Sequence, residues 1–140
     1  PFIAGRATSV AYLIGPNERL ALPPVSQRLS DDGRFHYLGG RVPIDAALAR
    51  RAMAIADRAL DCIPGMSGYV GIDVLLSDDG RDWAIEINPR LTTSYIGLRA
   101  LAKFNLAEAL LAIARGSEPP RMAWHDDIVE FSADGGLRRQ

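Results

Sequence analysis

The residues best suited to chemistry are Asp73 and, thirteen positions on, the run Glu86-Ile87-Asn88-Pro89-Arg90. Carboxylate and amide oxygens are ligands that a hard divalent cation takes. Magnesium in particular binds through one or two carboxylates together with the phosphates of a nucleotide. Asp73, Glu86 and Asn88 supply three such oxygens. A guanidinium directly behind them, Arg90, can hold phosphate oxygens or neutralise charge that builds up in phosphoryl transfer. The same acids also have a plain reading, in which they point into water or pair with arginine or lysine.

The elements that position these residues lie between Gly68 and Gly97. Val70, Ile72, Val74 and Leu76 alternate along one predicted strand, and Trp83, Ile85 and Ile87 along the next, the period expected of a half-buried sheet. The cluster Ser77-Asp78-Asp79-Gly80-Arg81-Asp82 between them suits a hairpin with about four or five loop residues. Residues directly opposite in an antiparallel pair share a face. Pairing Leu76 with Trp83, Val74 with Ile85 and Ile72 with Ile87 therefore sets Asp73 opposite Glu86 and Gly71 opposite Asn88. At a separation of about 5 Å and an effective dielectric near 20, two opposed carboxylates repel by roughly 3 kcal/mol. A shared cation removes that cost.

Asp73 on one strand and Glu86-Ile87-Asn88-Pro89-Arg90 after a hairpin resemble the C-terminal metal-binding signature of the ATP-grasp ligases. The longer run Ile87-Asn88-Pro89-Arg90-Leu91-Thr92-Thr93-Ser94-Tyr95-Ile96-Gly97-Leu98 is most similar to the branch containing tyramine–glutamate ligases. Gly5-Arg6-Ala7-Thr8-Ser9-Val10 resembles the G-x-x-x-S-V opening of the second lobe, although many relatives carry an acid where Ala7 or Thr8 stands. The resemblance implies that Asp73, Glu86 and Asn88 hold magnesium or manganese, that Glu86, Asn88 and Arg90 contact ATP, and that Arg90 serves catalysis at the phosphoryl group. It further implies that Gln27 and Tyr37-Leu38-Gly39-Gly40 border the acceptor-substrate site, against the ordinary reading of Gly-Gly as loop composition.

At 140 residues the chain fits a single domain and core. A formal charge of −1, with acids and bases interspersed, gives no argument for nucleic acid or an anionic membrane. One cysteine, Cys62, excludes an intramolecular disulfide and falls in a helical pattern, so a packing role is expected. No apolar run approaches a membrane span and no signal core opens the sequence; a cytoplasmic protein is the expectation. Pro1-Phe2-Ile3 reads as the start of a strand and not as an initiation site, which suggests a fragment.

Along the chain, strands are predicted over 9–14, 20–22, 25–29 and 35–38, joined by turns at 15–18 and 30–33 in an antiparallel meander. Pro23-Pro24 removes two backbone donors and belongs at an edge or bulge. A helix over 45–63 carries the stripe Leu48, Ala52, Ile55, Ala56, Ala59 and Ile63, is capped by Asp45 and stopped by Pro64-Gly65, and should cover the apolar face of the hairpin. A polar substrate loop at 91–95 leads to a short helix near 96–103, with Tyr95 either stacking on a substrate or anchoring the loop. A second helix, 106–115, is capped by Asn105 with Glu108 three residues on, ends at Gly116, and buries Leu106, Ala109, Leu110 and Ile113. A strand at 128–131 follows, Trp124 and His125 have no evident partners, and 137–140 should fray.

The expected architecture is an α+β domain, an antiparallel sheet backed by helices, with 1–140 as the C-terminal ATP-grasp lobe. The chemistry the resemblance implies is ATP-driven conversion of a carboxylate to an acyl phosphate and capture by an amine, with glutamate and tyramine or a related amine as candidate substrates. The N-terminal lobe, with its lysines and adenine hinge, is a necessary partner, and residues 1–140 alone are expected to be inactive. The alternative is a non-catalytic module that binds nucleotide or a divalent cation.

Overall fold

A computed structural model of the chain describes residues 3–140; the strand start read at Pro1-Phe2 lies outside them. The architecture is α+β, an antiparallel sheet with three helices. β1 (Gly5–Ile14) is its axis, because Thr8 to Ile14 are buried without interruption and need neighbours on both edges. One edge pairs along its whole length with β5 (Gly68–Ser77), from Gly5 opposite Ser77 to Ile14 opposite Gly68. The other edge is shared. β2 (Arg19–Ala21) pairs with Tyr12 to Ile14, and β3 (Val25–Leu29) with Thr8 and Ser9. Pro23-Pro24 occupies the step between β2 and β3, where the missing donors are not needed for a ladder.

The expected antiparallel meander is present as β1, β3 and β4 (Tyr37–Val42), with β2 departing from it to share the β1 edge with β3, and β5 takes the other edge of β1. β4 follows β3, so the strand placed at 35–38 begins two residues later and runs further. β6 (Trp83–Asn88) pairs with β5 at one margin of the sheet. β7 (Val129–Ser132) and β8 (Leu137–Arg139) close the other; the segment expected to fray is held as a strand by three paired residues.

α1 (Ala46–Asp61) starts where the Asp45 carboxylate accepts from the Ala47 and Leu48 amides. It buries Ala52, Ala56 and Leu60 against Val10, Tyr12, Val70, Ile72, Val74 and Leu76 on one face of the sheet. The stripe is narrower than expected: Ile63 lies beyond the helix and is exposed, and so is Cys62, whose packing role is not borne out. On the opposite face α2 (Ser94–Leu101) and α3 (Leu106–Ala114) pack Leu98, Leu101, Leu106 and Ile113 against Ala11, Leu13, Val42, Val129 and Phe131. Asn105 caps α3 through the Ala107 and Glu108 amides as expected. Trp124, expected to stand alone, packs edge-on against Phe104 with centroids 5.2 Å apart. His125 donates its amide to the Leu101 carbonyl. No helix among the described residues is long and apolar enough to cross a membrane.

Candidate functional site

Side chains alternate across β1 and β5, so the strand pair that buries Val10 and Ile72 beneath α1 turns Ser9, Gly71 and Asp73 to the other face. The β5–β6 pairing sets Gly71 opposite Asn88, Ile72 opposite Ile87 and Asp73 opposite Glu86, as the sequence predicts. Beyond Glu86 the register departs from the expectation. Val74 meets Ala84 and Leu75 meets Trp83, leaving Ile85 as the extra residue of a bulge and 64% exposed. Reading every apolar residue of β6 as inward-facing gave an uninterrupted ladder. Among the described residues this exposed margin strand pairs on its β5 side alone, so no second neighbour enforces one.

The acids line a cleft of about 200 Å³ with Ser9, Gln27, Tyr37, Asn88, Arg90 and Thr92 to Ser94. One nitrogen bridges the two carboxylates. Asn88 Nδ2 donates to Glu86 Oε2 at 3.2 Å and lies 3.4 Å from Asp73 Oδ2. Arg90 Nη2 donates in turn to Asn88 Oδ1 at 3.0 Å. Gln27 Nε2 donates to Asp73 Oδ1 at 2.8 Å. Burial raises the pKa of Asp73 from its ordinary value, and the Glu86 charge adds to this; hydrogen bonding by Gln27 and Ser9 and the Arg90 charge oppose it. Burial, with Asp73 and Tyr69 nearby, pushes the Tyr37 phenol up to about 12, so it stays protonated at neutral pH. Ser9, 2% exposed, stands opposite Asp73; its hydroxyl makes no hydrogen bond of ordinary geometry among the described residues, yet it is close enough to help hold the Asp73 pKa down.

The loop after Arg90 is more ordered than expected. Thr92 and Ser94 join hydroxyls at 2.7 Å, and both lie 3.3 Å from the Tyr69 hydroxyl. Tyr95 packs edge-on against Tyr69 at 6.1 Å, a contact that anchors the turn. The Thr92 methyl group lies over Gly71, where an added Cβ would come within 2.5 Å of it.

All four candidate residues thus meet in one cleft, and Gln27 and Tyr37 join them. Leu38, by contrast, is exposed, and a Cβ at Gly39 or Gly40 would strike neighbouring backbone at 2.0 and 2.6 Å, so the Gly-Gly pair serves close strand approach. Sequence reasoning gave Ser9 no role, although its place in the opening β1 motif was a usable signal. No group of three or more His, Cys, Asp or Glu side chains is arranged for a metal among the described residues. Two acids and an amide fit a cation whose remaining ligands are water and phosphate oxygens. A single amide nitrogen lies between the two carboxylates.

The antiparallel sheet with helices on both faces is the architecture of an ATP-grasp domain, and a model of that domain family matches residues 1–94. The chain belongs to the ATP-grasp family. It is similar to the tyramine–L-glutamate ligase of Methanocaldococcus jannaschii, 36% identical over 117 residues that cover 84% of this chain and 36% of that protein. The namesake from Methanocaldococcus fervens is 34% identical, with 84% of this chain and 38% of that protein covered. The chain therefore spans just over a third of the length of these relatives. An ATP-grasp superfamily protein from Archaeoglobus fulgidus superposes with a TM-score of 0.69 at 31% identity, covering 91% of this chain and 39% of that one. The ADP-complexed N5-carboxyaminoimidazole synthetase of Staphylococcus aureus superposes with a TM-score of 0.76 over 92% of this chain and 35% of its own; at 12% identity that likeness shows the fold alone.

Proposed function

We propose that this chain supplies the cation- and phosphate-handling face of a cytoplasmic, ATP- and magnesium-dependent carboxylate–amine ligase, with Mn an alternative to Mg. Glutamate and tyramine, or a related amine, are the proposed substrates, taken from the relatives' names. The supporting observation is the Asn88 amide braced between Asp73 and Glu86 with Arg90 on its far side. The rest of the nucleotide site is proposed to come from an N-terminal lobe, and residues 1–140 alone are proposed to lack ligase activity.

The proposed reaction has two displacements. A carboxylate oxygen attacks the γ-phosphorus of ATP and ADP leaves; the amine nitrogen then attacks the acyl carbon and inorganic phosphate leaves. When bound, magnesium offsets phosphate charge and aligns the transferred group. Asp73, Glu86 and Asn88 would hold it. Asn88 presents its nitrogen to the two acids in the cation-free protein, so to act as a ligand its amide must turn over and present Oδ1 instead. That turn takes away the acceptor of Arg90 Nη2 and leaves this nitrogen for phosphoryl oxygens, while Nη1 keeps its bond to the Leu91 carbonyl.

Glu86→Gln in the full-length protein tests this reading. An amide of nearly the same shape relieves a repulsion of roughly 3 kcal/mol before screening, so the fold is retained and the cation-free melting temperature stays level or rises. ADP release should collapse, and the thermal shift on adding Mg-ATP should shrink, because linkage follows affinity for the folded state. Full turnover with an undiminished shift removes Glu86 from the site. Mg-ATP binding without ADP release under any paired acid and amine supports the non-catalytic module instead.

A further inference from the structure

The contact between Gln27 and Asp73 crosses a strand. Gln27 belongs to β3 and Asp73 to β5, with β1 between them, so the amide spans two strand intervals, about 9–10 Å. It can do so because the β1 residues on that face, Ala7 and Ser9, are small. The Gln27 nitrogen reaches Asp73 Oδ1 at 2.8 Å, and the other oxygen, Oδ2, is the one turned to the Asn88 nitrogen that also meets Glu86. Ser9, opposite Asp73 on β1, also favours the charged carboxylate, but less than Gln27 does, and its hydroxyl makes no hydrogen bond of ordinary geometry among the described residues.

Resting on the reading of Asp73 and Glu86 as a cation site, we infer that Gln27 is a positioning residue: it reaches over β1 to fix the Asp73 carboxylate with Oδ2 toward Glu86, and being uncharged it leaves the full negative charge of the pair for the cation. Both properties matter. An apolar side chain of equal length leaves Asp73 free to rotate and buries a carboxylate oxygen without a donor. A lysine keeps the donor but brings a positive charge beside Asp73, in competition with the cation.

The test is Mn²⁺ binding by the full-length protein, followed by the electron paramagnetic resonance signal of free Mn²⁺ with and without ADP, for wild type, Gln27→Met, Gln27→Asn and Gln27→Lys. Loss of one hydrogen bond to a charged group predicts Mn²⁺ affinity about tenfold weaker for Gln27→Met. Gln27→Asn, one methylene too short to span β1, should match it, and Gln27→Lys should bind more weakly than either. On an Asp73→Asn background, Gln27→Met should change affinity no further. A purely structural role would lower the melting temperature of the cation-free protein and leave Mn²⁺ affinity in place; affinity within twofold of wild type for Gln27→Met therefore overturns the inference. So does failure of both Gln27→Met and Gln27→Asn to fold, or a Gln27→Lys protein that binds as tightly as Gln27→Met. If wild type itself takes up no Mn²⁺, the reading of the cleft as a cation site falls first and this inference with it.

Discussion

Asp73 carries a conflict that its neighbours manage without resolving. Burial and the Glu86 charge raise its pKa, so the cation-free fold disfavours the charged form of this acid more than the unfolded chain does. For an acid whose pKa is higher in the folded than in the unfolded chain, folding is favoured at low pH and this contribution is lost as pH rises through the folded value. Asp73→Asn removes the conflict and should raise the cation-free melting temperature at pH 7. The gain should fade as pH falls below the ordinary carboxylate value of 3.8, where both states of wild type are protonated. Thermal melts of the two proteins across that range check it; a gain that stays constant down to acid pH assigns the effect to packing. The opposition of Asp73 and Glu86 was legible in the sequence because a period of two leaves few registers that pair apolar with apolar. Gln27 was legible only as a neighbour of the substrate site. Its contact depends on the order β3-β1-β5, which no local pattern encodes.

At the scale of elements, the cleft depends on how closely the turn after Arg90 approaches β5. Gly71 is what permits it, since an added Cβ would sit 2.5 Å from the Thr92 methyl carbon but 3.2 Å from its hydroxyl oxygen. Gly71→Ala should destabilise by about 1–3 kcal/mol, the range for overpacking a filled site, and lower ADP release by displacing the Thr92–Ser94 turn. Adding Thr92→Ser, which deletes the colliding methyl group and keeps the hydroxyl, should restore most of the melting temperature. No recovery in the double variant places the strain elsewhere. The elements themselves were largely readable: Asp45 and Asn105 cap the helices that their spacing predicts, and 25–29 is a strand as expected. The bulge at Ile85 was not, because hydrophobic alternation on an exposed margin strand reports composition and not contact. Residues 137–140 read as a tail that frays because they are the last of the sequence; Leu137 to Arg139, though their side chains are exposed, are held by backbone pairing to β7.

For the molecule as a whole, the decisive feature is that one strand pair, β1 with β5, is the floor of two apolar clusters, one under α1 and one under α2 and α3. Neither cluster can lose that floor without exposing the other, so a single cooperative transition is expected. The two tryptophans test it. Trp83 lines a groove with Ile55 of α1, whereas Trp124 packs with the cluster on the opposite face. Denaturation followed by fluorescence in Trp83→Phe and in Trp124→Phe should track the far-ultraviolet circular dichroism of the same protein, with coincident midpoints. A fluorescence midpoint that departs from the dichroism in one variant alone would mean that the two faces come apart separately.

Trp83 is 47% exposed, on the strand that also bears Glu86 and Asn88. Its emission in the folded protein should therefore lie toward the red, and that of Trp124, partly buried and edge-on to Phe104, further to the blue. The spectrum of the native chain should thus divide by colour into a component from the strand of the cleft and a component from the margin of the opposite cluster. The protein carries its own two-channel optical probe, requiring neither dye nor label.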